Sequence, residues 1–254
     1  MSQKDIYFVS DAHLGIDLPG YNQREKHLLS FLRSLRDKAQ QLFIVGDLFD
    51  FWIEYRYAIR PDYFHALHEL QLLREGGVEI HYMAGNHDFA IGSFLHSALG
   101  IHLHHDHLDT TLHGKRVHIY HGDGLLRDDV AYRVLRTVLR IPGFQRIYKW
   151  LHPNIGIPFA SVFSGSSRRF LSHRMKAQRL AEYREHAKAF IDKGADIVIF
   201  GHTHHAEIVK WDDKIYLNTG EWLRRYHYAT LRNGAMHLWE HIPGASAQEV
   251  PAIS

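Results

Sequence analysis

Short, almost continuous apolar runs recur along the chain, and five of them end abruptly in polar residues. Runs of this length, apolar at successive positions, predict strands that are covered on both faces, as in parallel sheets. We therefore predict five buried strands at Ile6–Val9, Leu42–Val45, Ile80–Ala84, Val117–Tyr120 and Ile197–Phe200.

Helical periodicity separates the first three runs. Leucines at 28, 29, 32 and 35 predict a helix over about 22–38, and Pro61 begins a second helix that reaches about Arg74. Gly76-Gly77 ends this helix and precedes the third strand. The resulting β-α-β-α-β order predicts an α/β layered domain with right-handed crossovers.

The second half of the chain has a less regular pattern. Asn233-Gly234 predicts the turn of a hairpin over 227–240, and residues 243–254 are expected to form a loose tail. The other predicted elements are a short helix within 91–100, strands at 101–104, 108–113, 116–120 and 214–217, and a longer helix at 173–193.

Four histidines in the predicted strands at 101–113 allow two interpretations. They could form a metal cluster, or they could lie on the exposed face of a strand. Their alternation with apolar residues favours the exposed face. These histidines are His102, His104, His105 and His107.

Composition places the chain among ordinary globular proteins, with 45% hydrophobic and 23% charged residues in 254. We expect one domain over 1–254. The absence of cysteine excludes disulfides, zinc-thiolate sites and cysteine nucleophiles. Residues 1–5 lead directly into the first strand, and no apolar stretch approaches the ~20 residues of a spanning helix. A cytoplasmic protein is expected.

The segment 130–181 differs in charge from the rest of the chain. It contains ten Lys or Arg residues and no Asp or Glu, so the net charge of +2 leaves 2 − 10 = −8 for the remainder. Apolar residues alternate with the basic ones, and prolines divide the segment. We predict a helical insert over about 128–180 that covers the functional site. The alternative is that this segment is a solvated basic surface that binds no partner.

Each of the five predicted strands is followed by residues that commonly bind metals. Carboxyl ends of strands face the binding crevice in open α/β sheets, so we expect these motifs to meet at one edge of one sheet. Each motif alone also occurs by chance, but their shared position after strands favours a common site. The motifs are Asp11-Ala-His13, Gly46-Asp47-Leu-Phe-Asp50, Gly85-Asn86-His87-Asp88, His121-Gly-Asp123 and Gly201-His202-Thr-His204.

Oxygen and imidazole donors in this combination favour phosphoester chemistry at two metal ions about 3.5–4 Å apart, which needs a bridging carboxylate. Asp47 is the predicted bridge. These donors suit Mn²⁺, Fe²⁺ or Zn²⁺ better than Ca²⁺. The predicted ligands of one ion are Asp11, His13 and His204, and those of the other are Asn86, His121 and His202.

His87 lies beside the predicted ligand Asn86 and is a candidate catalytic residue. It would bind a non-bridging phosphate oxygen or protonate the leaving group. Asp88 would hold its tautomer by a hydrogen bond.

The five motifs, in this order, resemble those of the calcineurin-like metallophosphoesterases. This resemblance implies a four-layer α/β/β/α sandwich with a dinuclear site. Within that superfamily the chain is similar to the bacterial UDP-2,3-diacylglucosamine diphosphatases. Well-known members have Gly-Asn-Arg-Asp, whereas this chain has His87 in place of the Arg. The stretches that carry the similarity are Gly46–Trp52, Gly85–Phe89, His121–Gly124 with Asp128, Asp129 and Tyr132, and Leu151–Gly156.

The resemblance implies a Mn²⁺-dependent hydrolase that cleaves the pyrophosphate of a nucleotide-linked lipid, peripheral at the cytoplasmic face of the inner membrane. The insert suits acyl chains and an anionic membrane surface. Nucleic acid is not expected, because the overall charge is low and the insert is rich in apolar residues. Expected substrate-binding residues are Asp129, Tyr132, Arg168, Arg169, Arg174 and Trp52, and core packing is an equal alternative for Trp52.

Two other functions remain open from the sequence. The same scaffold could hydrolyse a soluble phosphodiester, nucleotide or phosphoprotein. The chain could also be an inactive scaffold that binds a membrane or a partner, although the presence of all seven predicted ligands disfavours this. The sequence does not indicate an oligomeric state.

Overall fold

Two β-sheets form the centre of the protein. The computed structural model describes residues 4–16, 23–130, 133, 134, 137, 141, 143, 148, 150–152, 154–156 and 177–253. The helices with bounds among the described residues are α1 (Arg24–Ser34), α2 (Phe64–Glu75, preceded by a 3₁₀ turn at Pro61–Tyr63), α3 (Phe94–Leu99) and α4 (Ala177–Asp192). The strands are β1 (Asp5–Val9), β2 (Ala39–Ile44), β3 (Glu79–Met83), β4 (His102–His104), β5 (His107–Leu112), β6 (Lys115–Tyr120), β7 (Ile197–Phe200), β8 (Glu207–Trp211), β9 (Lys214–Asn218), β10 (His227–Arg232), β11 (Ala235–Glu240) and β12 (Gln248–Glu249).

The five strands that carry the polar motifs divide between the two sheets. The larger sheet has the order β12-β11-β10-β1-β2-β3-β4, with β1, β2, β3 and β4 parallel. The smaller sheet has the order β5-β6-β7-β9-β8, with β6, β7 and β9 parallel. The expectation that the motifs meet at one edge of one sheet is therefore wrong. The motifs come from β1, β2 and β3 of one sheet and from β6 and β7 of the other.

Alternating side chains of the buried strands fill separate cores, which explains why these runs are apolar throughout. In β1, Tyr7 and Val9 pack in the core that contains α1 and α2, whereas Ile6 and Phe8 pack between the two sheets. In β7, Phe200 packs with Tyr183 of α4 on the outer face of the smaller sheet. The layers therefore follow the order helices, sheet, sheet, helix, as the resemblance implied.

The C-terminal segment is not a loose tail. Gln248 and Glu249 pair with β11 at the edge of the larger sheet. A few residues later, the Ile253 N–H donates to Ile208 O at 2.8 Å in the smaller sheet. This segment joins the edges of the two sheets. The predicted hairpin is confirmed, because β10 and β11 are antiparallel and both Asn233 and Gly234 have positive φ at the turn.

Three of the four histidines predicted on the exposed face of a strand lie in strands, His102 and His104 in β4 and His107 in β5, whereas His105 lies in the bend between them. His104 is only partly exposed. The side chains of His102 and His107 are 47% and 49% exposed. Most of the predicted helical insert lies outside the described residues. Within the described part of the chain, no helix combines the length and hydropathy required to cross a bilayer.

Candidate metal centre

Five of the seven predicted ligands have left-handed backbone conformations. Their φ angles are between 44° and 64°. Asp and His adopt this region more readily than most residues, but it still costs each of them free energy relative to the common conformations. The chain therefore turns sharply just after each strand, which aims the side chains into one crevice. The five residues are Asp11, His13, Asp47, His202 and His204.

Backbone hydrogen bonds join the loops that follow β1 and β2. The Asp11 N–H donates to Gly46 O at 3.2 Å, and the His13 N–H donates to Asp47 O at 3.0 Å. Ladder-like pairing thus continues beyond the strands, and it places the first two motifs side by side.

Asp11, His13 and His204 form one group of converging side chains. The two Nε2 atoms of His13 and His204 are 3.2 Å apart. Nε2 of His204 also lies 3.2 Å from Oδ1 of Asp11. The predicted ligands of the first ion are therefore within reach of a single cation.

A second group contains Asp47, His121 and His202. Nε2 of His121 lies 3.3 Å from Asp47 Oδ2 and 3.1 Å from Asn86 Oδ1. These are the residues predicted to hold the second ion, with Asp47 between the two groups.

The protonation of His121 provides a test of whether a cation fits. Its Nδ1 lies 2.8 Å from the Val45 carbonyl oxygen, which can only accept a hydrogen bond, so the proton is on Nδ1 in the neutral ring. The lone pair of Nε2 then faces two oxygen acceptors, from Asp47 and Asn86. Acceptors that face each other in a buried site need a cation between them, so the donor set fits a metal ion.

The electrostatic field of the centre also favours positive charge. Burial raises the pKa of the Asp47 carboxyl, but the rings of His121 and His87 outweigh burial and hold the pKa well below its usual range. Burial lowers the pKa of His121, but the Asp47 carboxylate outweighs burial and raises this pKa to about 10. Divalent cations would satisfy the same field that here favours imidazolium.

His87 lies against the bridging position, but a different residue orients its ring. Nδ1 of His87 donates to the Asp50 carbonyl oxygen at 2.8 Å. The predicted partner, Asp88, instead accepts hydrogen bonds from the Leu48 and Gly85 N–H groups and from the Tyr82 hydroxyl. The prediction that Asp88 holds the tautomer of His87 is therefore corrected, because Asp88 instead forms hydrogen bonds with the backbone of the loops after β2 and β3.

The structure also assigns orienting contacts to residues that sequence reasoning did not single out. Ser10 Oγ donates to Asp11 Oδ2, which also accepts the His202 N–H at 3.0 Å. Thr219 Oγ1 lies 2.7 Å from Ser10 Oγ. These bonds turn Oδ1 of Asp11 towards His204. Ser10 and Thr219 lie outside the five motifs, so neither residue has a local signal in the sequence.

Close approach of the backbone explains one glycine of the motifs. A Cβ at Gly85 would lie 2.1 Å from Oδ1 of Asp47. The Oδ1 atom also accepts the His87 N–H at 2.8 Å. Gly85 therefore lets the third motif approach the predicted bridging carboxylate.

The predicted substrate-binding residues have varied locations. Asp129 accepts a hydrogen bond from Arg179 of α4 at 3.1 Å. Trp52 is 2% exposed and packs against Phe49 and Tyr63, as its core-packing alternative requires. The remaining four lie outside the described residues: Tyr132, Arg168, Arg169 and Arg174.

Comparisons with known proteins identify the family to which this chain belongs. A family model for calcineurin-like phosphoesterase matches residues 4–206. The Vps29 structure from Entamoeba histolytica is similar with a TM-score of 0.48 at 15% identity, over 97% of this chain and 98% of that one. The UDP-2,3-diacylglucosamine hydrolase of Haemophilus influenzae (strain KW20) is 28% identical over 230 residues, covering 88% of this chain and 92% of the relative. That of Porphyromonas gingivalis is 32% identical over 248 residues, with the same coverage of both chains. The family match covers most of the chain and includes every motif of the site up to His204, so the protein belongs to the calcineurin-like phosphoesterase family.

Proposed function

We propose that this protein hydrolyses the pyrophosphate bond of UDP-2,3-diacylglucosamine, releasing UMP and 2,3-diacylglucosamine 1-phosphate. The observation that carries the proposal is the convergence of the two ligand groups on buried Asp47. The sequence relatives named UDP-2,3-diacylglucosamine hydrolase support the choice of substrate. Water attacks the phosphorus nearer uridine in this proposal.

Separate groups of residues would bind each of two divalent cations. Mn²⁺ would occupy both positions, and Asp47 would contribute to each of them. Two such cations would supply positive charge to the phosphoryl group and would lower the pKa of a bound water. Asp11, His13 and His204 hold one side of the bridge, and Asn86, His121 and His202 hold the other.

His87 acts on the substrate in this scheme. It forms a buried group with His13 and Asp47, so its ring adjoins the bridging position. The Asp50 carbonyl oxygen accepts the Nδ1 proton of His87. Burial lowers the pKa of His87, but Asp47 and Asp50 outweigh burial and raise it to about 9. The ring therefore carries a second proton on Nε2, which it would donate to a non-bridging phosphate oxygen or to the leaving group. Asp88 positions the loop that carries Asn86 and His87.

Exposed apolar side chains in the basic segment support a lipid substrate. Val134, Trp150 and Ile155 are 61%, 87% and 62% exposed. Exposed apolar surface beside basic residues suits acyl chains and an anionic membrane surface. In this proposal, residues 1–254 form one domain whose insert covers the centre, and the protein works at the cytoplasmic face of the inner membrane.

The proposal is tested by Mn²⁺-supplemented hydrolysis of UDP-2,3-diacylglucosamine, with UMP release followed over time. A nucleotide diphosphate-sugar without acyl chains is the matched substrate control. Rapid UMP release from the acylated substrate alone is the expected result. Equal rates on both substrates would overturn the lipid assignment and favour a soluble substrate, and activity on neither would overturn the proposed reaction.

A further inference from the structure

A further polar strand end lies beside the ligand motifs but supplies none of the seven predicted ligands. β9 is parallel to β7 and lies next to it in the smaller sheet, and the last residues of the two strands, Asn218 and Phe200, are paired. Asn218 is buried. Because the carboxyl ends of parallel strands meet at the same edge of a sheet, Asn218 stands beside the loop Gly201–His204.

The side-chain amide of Asn218 holds the first residue of that loop. Nδ2 donates to Gly201 O at 2.7 Å, and Oδ1 accepts the Gly220 N–H at 3.1 Å. A carbonyl oxygen can only accept a hydrogen bond and an N–H can only donate one, so the two partners fix the orientation of the amide. The Asn218 side chain thus connects the loop after β7 to the backbone that follows β9.

The peptide group between Gly201 and His202 is held from both sides. Its carbonyl oxygen accepts the bond from Asn218, and its N–H donates to Oδ2 of Asp11 at 3.0 Å. The next residues need such support, because His202 and His204 have φ angles of 64° and 55°. A left-handed conformation costs free energy in residues other than glycine and persists only where surrounding contacts enforce it. Rotation of this peptide would disturb both the strained backbone and the Asp11 carboxylate.

We propose that Asn218 is a positioning residue for both metal ions, an inference that rests on the two-ion centre of the proposed function. His202 belongs to the ligand group of Asp47, and His204 belongs to that of Asp11. One loop therefore supplies one imidazole to each ion. Loss of the bond that holds the start of this loop would displace a ligand of each ion at the same time.

Two variants of Asn218 test the proposal. Asn218→Asp keeps the size of the side chain but replaces the donor with an oxygen that would face Gly201 O. Asn218→Ala removes the donor without adding charge, which covers the case in which a buried carboxylate prevents folding. Titration calorimetry of the full chain with Mn²⁺ measures the affinity for each ion. Both affinities are expected to fall by about 10–100-fold, as for the loss of a contact that orients a metal ligand.

Two further variants serve as controls. Ser10→Ala removes a hydroxyl that donates to Asp11 Oδ2, so it should weaken only the ion that Asp11 binds. Asn233→Asp makes the same chemical change at an exposed Asn in the turn between β10 and β11, and it should leave both affinities unchanged. All titrations are made well below the temperature of unfolding, where nearly every chain is folded and a lower stability alone does not change the measured affinity.

Unchanged affinities in both Asn218 variants, or a loss confined to one ion, would overturn the proposal. These measurements compare metal binding between variant and wild type, so they do not depend on whether UDP-2,3-diacylglucosamine is hydrolysed. A wild type that binds two ions and loses both affinities on substitution of Asn218, but hydrolyses nothing, would overturn the proposed function alone. A wild type that binds no ion would overturn both proposals.

Discussion

Oδ2 of Asp47 lies 3.3 Å from Nε2 of His121, and both side chains are buried. Asp47 follows β2 of the larger sheet, and His121 follows β6 of the smaller one. The contact therefore joins the two sheets at the carboxyl ends of β2 and β6. It also gives Asp47 a partner on each side, since His13 and His87 form a further group with the same carboxylate.

Replacing Asp47 with Ala is expected to remove both metal ions together with activity. One carboxylate serves both ligand groups, so neither ion keeps its full donor set. The rate on a chromogenic phosphodiester should fall by at least about 10²–10³-fold. Metal counting is the second measurement, and Asp62→Ala, at an exposed Asp that pairs with Arg60, is the control. Two ions retained in Asp47→Ala would refute the bridging role.

Replacing His87 with Ala should separate catalysis from metal binding. The ring adjoins the bridging position but is not one of the seven predicted ligands, so both ions should remain. Loss of a group that donates a proton or binds phosphate costs about 10²–10⁴-fold in rate. His65→Ala, at an exposed histidine in α2, is the control. A near-normal rate in His87→Ala would mean that His87 has no chemical role.

Gly85→Ala tests the close approach of the third motif to Asp47. The added Cβ would overlap Oδ1 of Asp47 at 2.1 Å, so the carboxylate must move. Metal affinity is expected to fall by about 10–100-fold, as for the loss of a contact that orients a ligand. Gly143→Ala is the control, because its Cβ would meet only Ile141 Cγ2, at 3.9 Å, among the described atoms. Titration calorimetry with Mn²⁺ measures the change, and unchanged affinity would contradict the geometry.

Neutralising three arginines of the basic insert should weaken binding of the lipid substrate more than hydrolysis of a small chromogenic ester. These arginines are proposed to meet the phosphates and the membrane surface, which the small ester does not need. The KM for the acylated substrate should rise several-fold, and equal losses on both substrates would count against the proposal. The variant replaces Arg168, Arg169 and Arg174. A control for net charge replaces the exposed residues Lys26, Lys188 and Lys210.

The carboxyl group of Asp196, which is not part of the metal centre, is expected to make the stability of the fold depend on pH. Hydrogen bonds from Lys214 Nζ and the Arg116 N–H lower the pKa of its carboxyl to about 2 from an ordinary 3.8. The ionised form is thus favoured by folding. Its contribution is complete above pH about 4 and is lost as pH falls towards 2.

The variant Asp196→Asn measures this contribution. At pH 7 its free energy of unfolding in urea should be lower than that of the wild type by about 1 kcal/mol, the size of one ordinary hydrogen bond or one ion pair close to solvent. The difference between the two proteins should shrink as pH is lowered from about 4 to 2. A difference that is constant over this range would show that Asp196 ionisation does not contribute.

Local patterns in the sequence were sufficient to predict the buried strands and the motifs that follow them. A strand covered on both faces must be apolar throughout, and a polar residue can follow only where the strand ends. The hairpin turn at Asn233-Gly234 is local for a similar reason, since these residues accept positive φ. The order of the motifs was also sufficient to indicate the family, which the match over 4–206 confirms.

Contacts between distant parts of the chain depended on the tertiary structure. The division of the motifs between two sheets, the use of Asp50 to orient His87, and the pairing of the C-terminal segment have no signal at short range. The sequence by itself determined which side chains stand at the strand ends. Only packing decided which of them meet, because strand pairing and burial are set by long-range contacts that no local pattern encodes.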